Sequence, residues 1–326
     1  MRGFTSIAAA AVLAGSAFAA PTKLVTRQTI NANGTTAGGV SDVDVLQFAL
    51  TLEYLEINLY ETVVTTYSDN DFINAGFQAA DRDTFLQIIT QELNHIASIR
   101  SNIEMMGATP VQPCKYNYGT TTSLNQLLNV TDAVNGLGPS AYLGAGAYIS
   151  SKLVLTEGSS IGNIETRHNS WLNGLIGRSE LPTAFLVPLS PTQSYGVASQ
   201  FIVSGSCPSS NPTLKAVTAY PPTLKITNQG YPAAPLNAGD SLYFSTSVSA
   251  SCAAFLYSFN TTIVSLNSDG SATIPYDAAG QIYIVLTTAV QGEFLDDANS
   301  LTAPQAFYVD APAQGYADVQ VTTYEF

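Results

Sequence analysis

Two Glu-x-x-His motifs constrain the fold of this chain more than any other feature of its sequence. The chain has two histidines, His95 and His168, and a glutamate precedes each by three positions, as Glu92 and Glu165. With ten glutamates in 326 residues, chance would produce this double coincidence in roughly one chain in a thousand. Residues three apart share one face of an α-helix, so each pair can bind a metal ion together. The motifs therefore predict two helices that meet at a metal site.

The first two predicted helices are long, and the second carries one of the motifs. Ser41 and Asp44 resemble a capping box, and the apolar residues that follow at helical spacing predict a helix over about 41–67. A second predicted helix begins at Asp81 as its cap and ends at Gly107. We expect these two helices to form an antiparallel hairpin.

Three further helices are predicted in the remainder of this helical region. Residues 123–150 predict a less regular third helix, interrupted near the sequence NGLGPS. Residues 152–177 predict a fourth helix, which carries the second motif. A shorter helix is expected after Ser190 and Pro191, because serine caps helices and proline fits the first turn. The helical region is thus predicted to span 41–207.

The depth of the acidic residues in these helices supports one shared site. In the predicted hairpin, the carboxylates of the first helix and the first motif fall in one layer, roughly 20 Å from the connecting loop. Carboxylates in the middle of apolar helix faces are costly to bury unless they are paired or bound to metal. The predicted ligands are Glu53, Glu92, His95, Glu165 and His168, with Glu56 as a further candidate.

The hydrophobic pattern changes at a proline- and serine-rich stretch near 208–212. Beyond it, short runs rich in β-branched and aromatic residues alternate with Gly, Pro, Asn and Asp turns. This pattern predicts an antiparallel, Ig-like β-sandwich over 213–312, followed by a tail over 313–326. The predicted fold class is therefore α+β, with a helical bundle followed by a β-sandwich.

The first residues of the chain are typical of a secretory signal peptide. Arg2 precedes a short apolar run over 7–14, and Ala17-Phe18-Ala19 fits a cleavage site, which predicts a signal peptide over 1–19. A polar stretch over 20–40 is expected to form a flexible leader. Three sequons, each weak on its own, add candidate glycosylation sites at Asn33, Asn129 and Asn260.

The cysteines predict one disulfide, and the net charge argues against a nucleic-acid-binding protein. Cys114 and Cys207 lie in turn-rich polar surroundings, and Cys252 lies in an apolar β-like run. We expect a Cys114–Cys207 disulfide and a free, buried Cys252. The formal net charge of −13 makes binding to nucleic acid unfavourable, because phosphates repel an acidic surface. No segment is long and apolar enough to predict a membrane span.

The helical region resembles the ferritin-like four-helix bundle, in which Glu-x-x-His motifs from two helices join glutamates from the other two around metal ions. LEYLEINLY, with Glu53 and Tyr60, looks like the first-helix motif, ELNH matches the second, and IETRHNSWL is similar to the fourth. Over 41–207, with GATPVQPC and CPSSNP included, the chain resembles a secreted fungal ferritin-like family. That family is associated with stress response, late sexual development and desiccation. The resemblance implies one or two ions of iron or manganese.

One departure from this family pattern concerns the third helix. Ferritin-like bundles usually carry a carboxylate there, whereas residues 121–151 contain a single acid, Asp132, near a predicted turn. Glu56 can compensate, because it shares a helix face with Glu53. Glu157 lies about 12 Å along the helix axis from Glu165, too far to bind the same ion.

Two functional hypotheses follow from the sequence. In the first, the protein is a secreted metal-binding oxidoreductase that oxidises Fe(II) or removes peroxide. In the second, it is a non-catalytic protein of the cell wall or spore surface that retains the bundle as a scaffold, with cell-wall components as partners. The five candidate ligands favour the first hypothesis, and the missing third-helix acid favours the second. An iron-storing cage is disfavoured, because the β region and glycans would obstruct its packing.

Overall fold

The computed structural model describes most of the chain. Several expectations lie outside the described residues, namely the signal peptide, nearly all of the leader, the sequon at Asn33 and the C-terminal tail. The described residues are 39–119, 121–217, 222–228, 236–293 and 295–310.

The first helices form the expected hairpin, with one short helix between them. They are α1 (Asp42–Thr66), α2 (Asp69–Asn74) and α3 (Ala79–Met105), and α1 packs along α3. The Ser41 and Asp44 capping box is present at the start of α1. The predicted cap of the second helix, Asp81, is wrong by three residues, because the cap is Gln78. Asp81 lies inside the first turn of α3, where its carboxylate accepts a hydrogen bond from the Gln78 backbone N–H at 2.8 Å.

The third predicted helix is interrupted within NGLGPS, as expected, and divides into two helices at Gly136. The elements that follow the hairpin are α4 (Leu124–Asn135), α5 (Leu137–Ala145), a short 3₁₀ turn (Gly146–Tyr148), α6 (Lys152–Leu175), α7 (Pro191–Ala198) and a second 3₁₀ turn (Ser199–Phe201). Ser190 and Pro191 cap and begin α7 as their types favour.

The C-terminal region is built from antiparallel strands. The strands are β1 (Lys225–Ile226), β2 (Ser241–Leu242), β3 (Phe244–Ser245), β4 (Cys252–Tyr257), β5 (Asn260–Ser265), β6 (Ala272–Thr273), β7 (Gly280–Thr287) and β8 (Gln305–Val309). Four of them form a sheet with the order β5-β4-β7-β8, and two short pairs, β1–β3 and β2–β6, lie beside it.

Both faces of the central strands are buried. Ala254 and Leu256 of β4 belong to the same hydrophobic cluster as residues of the helices, whereas Ala253 and Phe255 pack with the short strands on the other face. A strand buried on both faces reads as a continuous apolar run, which is how β4 and β7 appear in the sequence. The sheet is thus a layer between the helices and the short strands. The Ig-like sandwich remains a prediction.

Hydrogen bonds connect β7 directly to the break between α4 and α5. The Tyr283 hydroxyl donates to the carbonyl of Gly136 at 3.0 Å, and the Gln281 amide donates to the carbonyl of Ala133 at 3.1 Å. A side chain at Gly136 would displace the Gln281 amide from this contact, because an added Cβ would collide with it. We call this contact the β7 clamp. It fixes where α5 starts.

A second contact between helices and sheet centres on Arg178. Its guanidinium pairs with buried Asp132 and lies 4.5 Å from the ring centroid of Tyr308 in β8. It also donates to the Asn129 side-chain oxygen at 3.2 Å. The predicted boundary near 208–212 is not tested by these contacts, but the helices and sheet share one hydrophobic cluster across it.

The cysteines and the remaining sequons occupy distinct surroundings. Cys114 and Cys207 form a disulfide, and Cys252 is free and buried. Asn129 is half-buried within α4, and Asn260 is exposed at the start of β5. Among the helices in the described part of the chain, none is both long and apolar enough to cross a membrane.

Candidate metal centre

Four glutamates meet in the interior of the helical region. Glu53, Glu92 and Glu165 are fully buried, and Glu56 is 3% exposed. Glu53 and Glu56 come from α1, Glu92 from α3 and Glu165 from α6. Burying four carboxylates in one place is strongly unfavourable unless cations neutralise them. The cluster therefore requires protons, protonated histidines or metal ions.

His95 directs one ring nitrogen at three of these carboxylates. Its Nδ1 lies 3.1 Å from Glu165 Oε1, 3.5 Å from Glu53 Oε2 and 3.5 Å from Glu92 Oε2. One ligand atom from each of these four residues can be chosen so that all lie within 4.8 Å of one another. We call this group the His95 subsite.

His168 approaches the same glutamates from the other side. Its Nδ1 lies 3.2 Å from Glu92 Oε1 and 3.6 Å from Glu165 Oε2. These are the oxygens that do not face His95, so Glu92 and Glu165 each present one oxygen to each histidine. The two imidazole centroids are 6.4 Å apart. We call the group around His168 the His168 subsite.

Glu56 supplies the fourth carboxylate, on the side of Glu165 Oε2, the oxygen that faces His168. Space for it is left by Gly138 of α5, where an added Cβ would lie 2.7 Å from Glu56 Oε1 and 3.2 Å from Glu165 Oε2. At this position α5 thus contributes open space next to Glu56 in place of a side chain. Asp132, the single acid that the sequence offers in this region, pairs with Arg178 and is not part of the cluster.

Sequence reasoning missed three residues around the cluster. The Tyr142 hydroxyl of α5 donates a short hydrogen bond to Glu53 Oε1. Gln91 Oε1 lies 2.8 Å from His168 Nε2, an arrangement that favours a proton on Nε2 and leaves Nδ1 free for a metal. Gly138 is the third. None of the three has a spacing signal, because their roles depend on how separate helices meet.

Tyr60, which the sequence connects with the first-helix motif, flanks the His168 subsite. Its ring centroid lies 6.5 Å from that of His168, and its hydroxyl donates to the Asn135 side-chain oxygen. Burial, followed by the charge of Glu92, raises the pKa of Tyr60 well above its usual range. Tyr60 is therefore a neutral hydrogen-bond donor beside the cluster.

The histidines are basic when no metal is bound. Burial alone would lower their pKa values, but hydrogen bonds with the glutamates, Glu165 first, outweigh it. The pKa of His95 rises to about 12 and that of His168 to about 9. The pKa of Glu92 falls to about 2, because its bonds to His168 and His95 outweigh the effect of burial.

The pKa values of the two glutamates of α1, Glu53 and Glu56, are shifted in the opposite direction to that of Glu92. Burial, with the charge of Glu92 second, raises the pKa of Glu53 well above its usual range. Burial, with the charge of Glu165 second, raises the pKa of Glu56 in the same way. The metal-free cluster thus retains protons that a cation would replace.

The atoms of the cluster fit a metal. Among the described residues, the buried atoms that lack a hydrogen bond of good geometry include both oxygens of Glu92 and of Glu165, one oxygen each of Glu53 and Glu56, and Nδ1 of both histidines. The two Nδ1 atoms have only the ion-pair contacts with the glutamates given above. Buried polar groups are normally satisfied, so such a concentration needs an explanation. Carboxylate oxygen with imidazole nitrogen is a ligand set that iron, manganese and zinc accept.

Metal affinity at this cluster is expected to rise with pH. Both histidine pKa values lie above neutrality, so a cation displaces protons when it binds. Each displaced proton strengthens apparent binding by about tenfold per pH unit. Mn(II) should therefore bind about a hundredfold or more tightly at pH 8 than at pH 6. Calorimetry in buffers of different ionisation enthalpy counts the protons released, and a count of zero would contradict this prediction.

Comparison with known proteins agrees with the helical part of this description. A model of the ferritin-like domain family matches residues 41–178. Protein rds1 of Schizosaccharomyces pombe (strain 972 / ATCC 24843) is 25% identical over 197 residues, which cover 56% of this chain and 48% of that protein. The match thus spans about half the length of that relative.

Among solved structures, an X-ray structure of Dps from Listeria monocytogenes aligns with a TM-score of 0.37 and 11% identity. The alignment covers 47% of this chain and 99% of the Dps chain. The matched family region contains all four glutamates and both histidines of the cluster. The chain therefore combines a ferritin-like helical region with an antiparallel sheet region that follows it.

Proposed function

We propose that this protein binds two metal ions, iron or manganese, one at the His95 subsite and one at the His168 subsite. The observation that carries the proposal is the arrangement of Glu92 and Glu165, each with one oxygen toward each histidine. Carboxylates that face two imidazoles in this way are suited to bridging a pair of cations. Glu53 and Glu56 then complete the two subsites separately.

We further propose an oxidoreductase function, the oxidation of Fe(II) or the removal of peroxide. Iron or manganese held by carboxylates and imidazoles supplies one-electron redox chemistry. The chain's own residues balance charge and exclude water. Burial of all four glutamates keeps bulk solvent out, and Gln91 holds the His168 ring in the orientation that metal binding needs.

A secreted location is part of the proposal. The predicted signal peptide supports it, and so does the Cys114–Cys207 disulfide, because disulfides persist in oxidising compartments. N-terminal sequencing of protein recovered outside the cell should find a start shortly after Ala19 or within the leader. Retention of residues 1–19 on the recovered protein would contradict it.

Metal titration tests the core of the proposal. Protein purified without chelators and then titrated with Fe(II) under anaerobic conditions should bind two ions per chain, and Mn(II) should compete for the same sites. Exposure of the Fe(II)-loaded protein to O₂ or peroxide should then produce Fe(III) faster than Fe(II) in buffer. A protein that binds no ion would favour the scaffold hypothesis. Binding without faster oxidation would leave a metal-binding protein and remove the oxidoreductase function.

A further inference from the structure

The helical segment α5 borders the cluster with two residues, neither of which is a carboxylate. Gly138 lies against Glu56 and Glu165, and Tyr142 contacts Glu53. The two residues are four positions apart, about one helical turn, so they share one face of α5. Each subsite therefore has its own neighbour from α5.

At the His168 subsite, Gly138 determines whether Glu56 fits. A Cβ at this position would be 2.7 Å from Glu56 Oε1, closer than a real Cβ approaches an oxygen. Gly138 and Glu56 are both buried, so the Glu56 side chain would have to rotate within the cluster to make room for a side chain at 138. The absence of a side chain at 138 is thus a condition for the observed position of Glu56.

At the His95 subsite, Tyr142 distinguishes the two oxygens of Glu53. The hydroxyl bonds to Oε1, whereas Oε2 has no hydrogen-bond partner among the described residues and lies 3.5 Å from His95 Nδ1. Oε2 is therefore the oxygen of Glu53 that is aimed at the His95 subsite without a competing hydrogen bond. Tyr142 holds the carboxylate in this rotation through Oε1.

Contacts outside the cluster hold α5 in this position. The carbonyl of Ser140 accepts a hydrogen bond from the Leu189 backbone at 3.1 Å, and a Cβ at Gly144 would collide with the Leu189 backbone. The β7 clamp fixes the start of the segment at Gly136. A segment held at both ends cannot slide to adapt to a misplaced glutamate.

We propose that α5 makes the two subsites unequal: Tyr142 is a positioning residue for the His95 subsite, and Gly138 is a positioning residue for the His168 subsite, because it leaves room for Glu56. This inference rests on the proposed function, because it assigns roles at the same metal centre. It explains how the centre does without a carboxylate from the third helix. Glu56 takes that place on one side, and a tyrosine-held Glu53 serves the other.

Titration with Co(II), followed by visible absorption and calorimetry, separates the two roles. His95→Ala and His168→Ala first identify which binding step belongs to which subsite. Tyr142→Phe should then weaken the step lost in His95→Ala by about tenfold, the usual effect of removing an outer partner of a metal ligand. Gly138→Ala should weaken the other step by a similar factor. Each variant should leave the opposite step within about twofold.

Tyr257→Phe is a matched control. Its hydroxyl donates to the carboxylate of Asp277 at 2.7 Å, so the variant loses the same kind of bond in the sheet, away from the cluster. It should leave both Co(II) steps unchanged. Circular dichroism of the metal-free variants verifies folding; if Tyr142→Phe fails to fold, Gly138→Ala still tests the asymmetry.

The outcomes separate this inference from the proposed function. A wild-type protein that binds two Co(II) ions while both α5 variants bind as wild type does would overturn the roles of Tyr142 and Gly138 alone. Equal weakening of both steps by either variant would also overturn the assignment. A wild type that binds no Co(II), Fe(II) or Mn(II) would overturn the proposed function and, with it, this inference.

Discussion

Replacing both His95 and His168 with alanine is expected to abolish iron and manganese binding. The Nδ1 atom of each imidazole lies at ion-pair distance from the glutamates. Without the imidazoles, the remaining ligands would be carboxylates that repel one another. The variant should also lose the stabilisation that a bound ion gives the folded state, about 2.7 kcal/mol at an ion concentration a hundred times Kd. Metal analysis and thermal unfolding with and without Mn(II) measure both effects.

The double variant also removes positive charge from a buried acidic cluster, so its metal-free stability is expected to fall. Breaking a buried ion pair costs roughly 3 to 5 kcal/mol. A second double variant, His95→Gln with His168→Gln, is therefore measured beside the alanine variant. Glutamine retains a polar side chain near the cluster. Glu157→Gln is the matched control. Glu157 also belongs to α6, but it bonds to Ser98 and Asn102. Equal metal content in wild type and both double variants would refute the metal centre.

Removing the Cys114–Cys207 disulfide is expected to lower the free energy of unfolding substantially. The two cysteines are 93 positions apart, and a cross-link that closes a loop of this size stabilises by about 4.6 kcal/mol in the chain-entropy account. The surrounding hydrogen bonds do not depend on sulfur. Asn117 donates to the carbonyl of Phe201 at 2.8 Å, so the local fold should survive in the native state. Denaturant unfolding of Cys114→Ser with Cys207→Ser measures the loss.

Cys252→Ala is the control for the disulfide experiment, because it removes a buried thiol without removing a cross-link. Making the disulfide variants in this background also prevents exchange with the free thiol. If the double serine variant unfolds at the same denaturant concentration as the control, the disulfide contributes little, and the hydrogen bonds around it hold the segments together.

The sequence predicts the helical ligands because their information is local. Glu92 with His95 and Glu165 with His168 are fixed by helical spacing alone, and the hairpin of α1 and α3 sets the common depth of Glu53 and Glu92. The sequence also indicates the break at Gly136, through the NGLGPS segment. It does not indicate the contacts of this break with Gln281 and Tyr283, because they come almost 150 positions later. Gly138 and Tyr142 cannot be recognised for the same reason.

The β region illustrates a different limit. Periodicity correctly indicates strands in the C-terminal part, yet it cannot tell what covers each face. Ala253 and Ala254 point to opposite faces of the sheet, and both are fully buried. A sandwich and a sheet covered by helices bury such residues equally well. Choosing between them requires knowledge of which surface of the helical region is apolar, and that depends on its tertiary packing.

The β7 clamp has a thermodynamic consequence for the metal centre. Tyr283 holds the carbonyl of Gly136, and two residues later Gly138 borders Glu56 and Glu165. If ions bind as proposed, the ordering of α5 is shared between the centre and the sheet. Thermodynamic linkage is reciprocal. If contact with the sheet strengthens ion binding by some free energy, bound ions strengthen the contact between helices and sheet by the same free energy. The sheet region would then act as an allosteric element, able to set ion affinity without supplying a ligand.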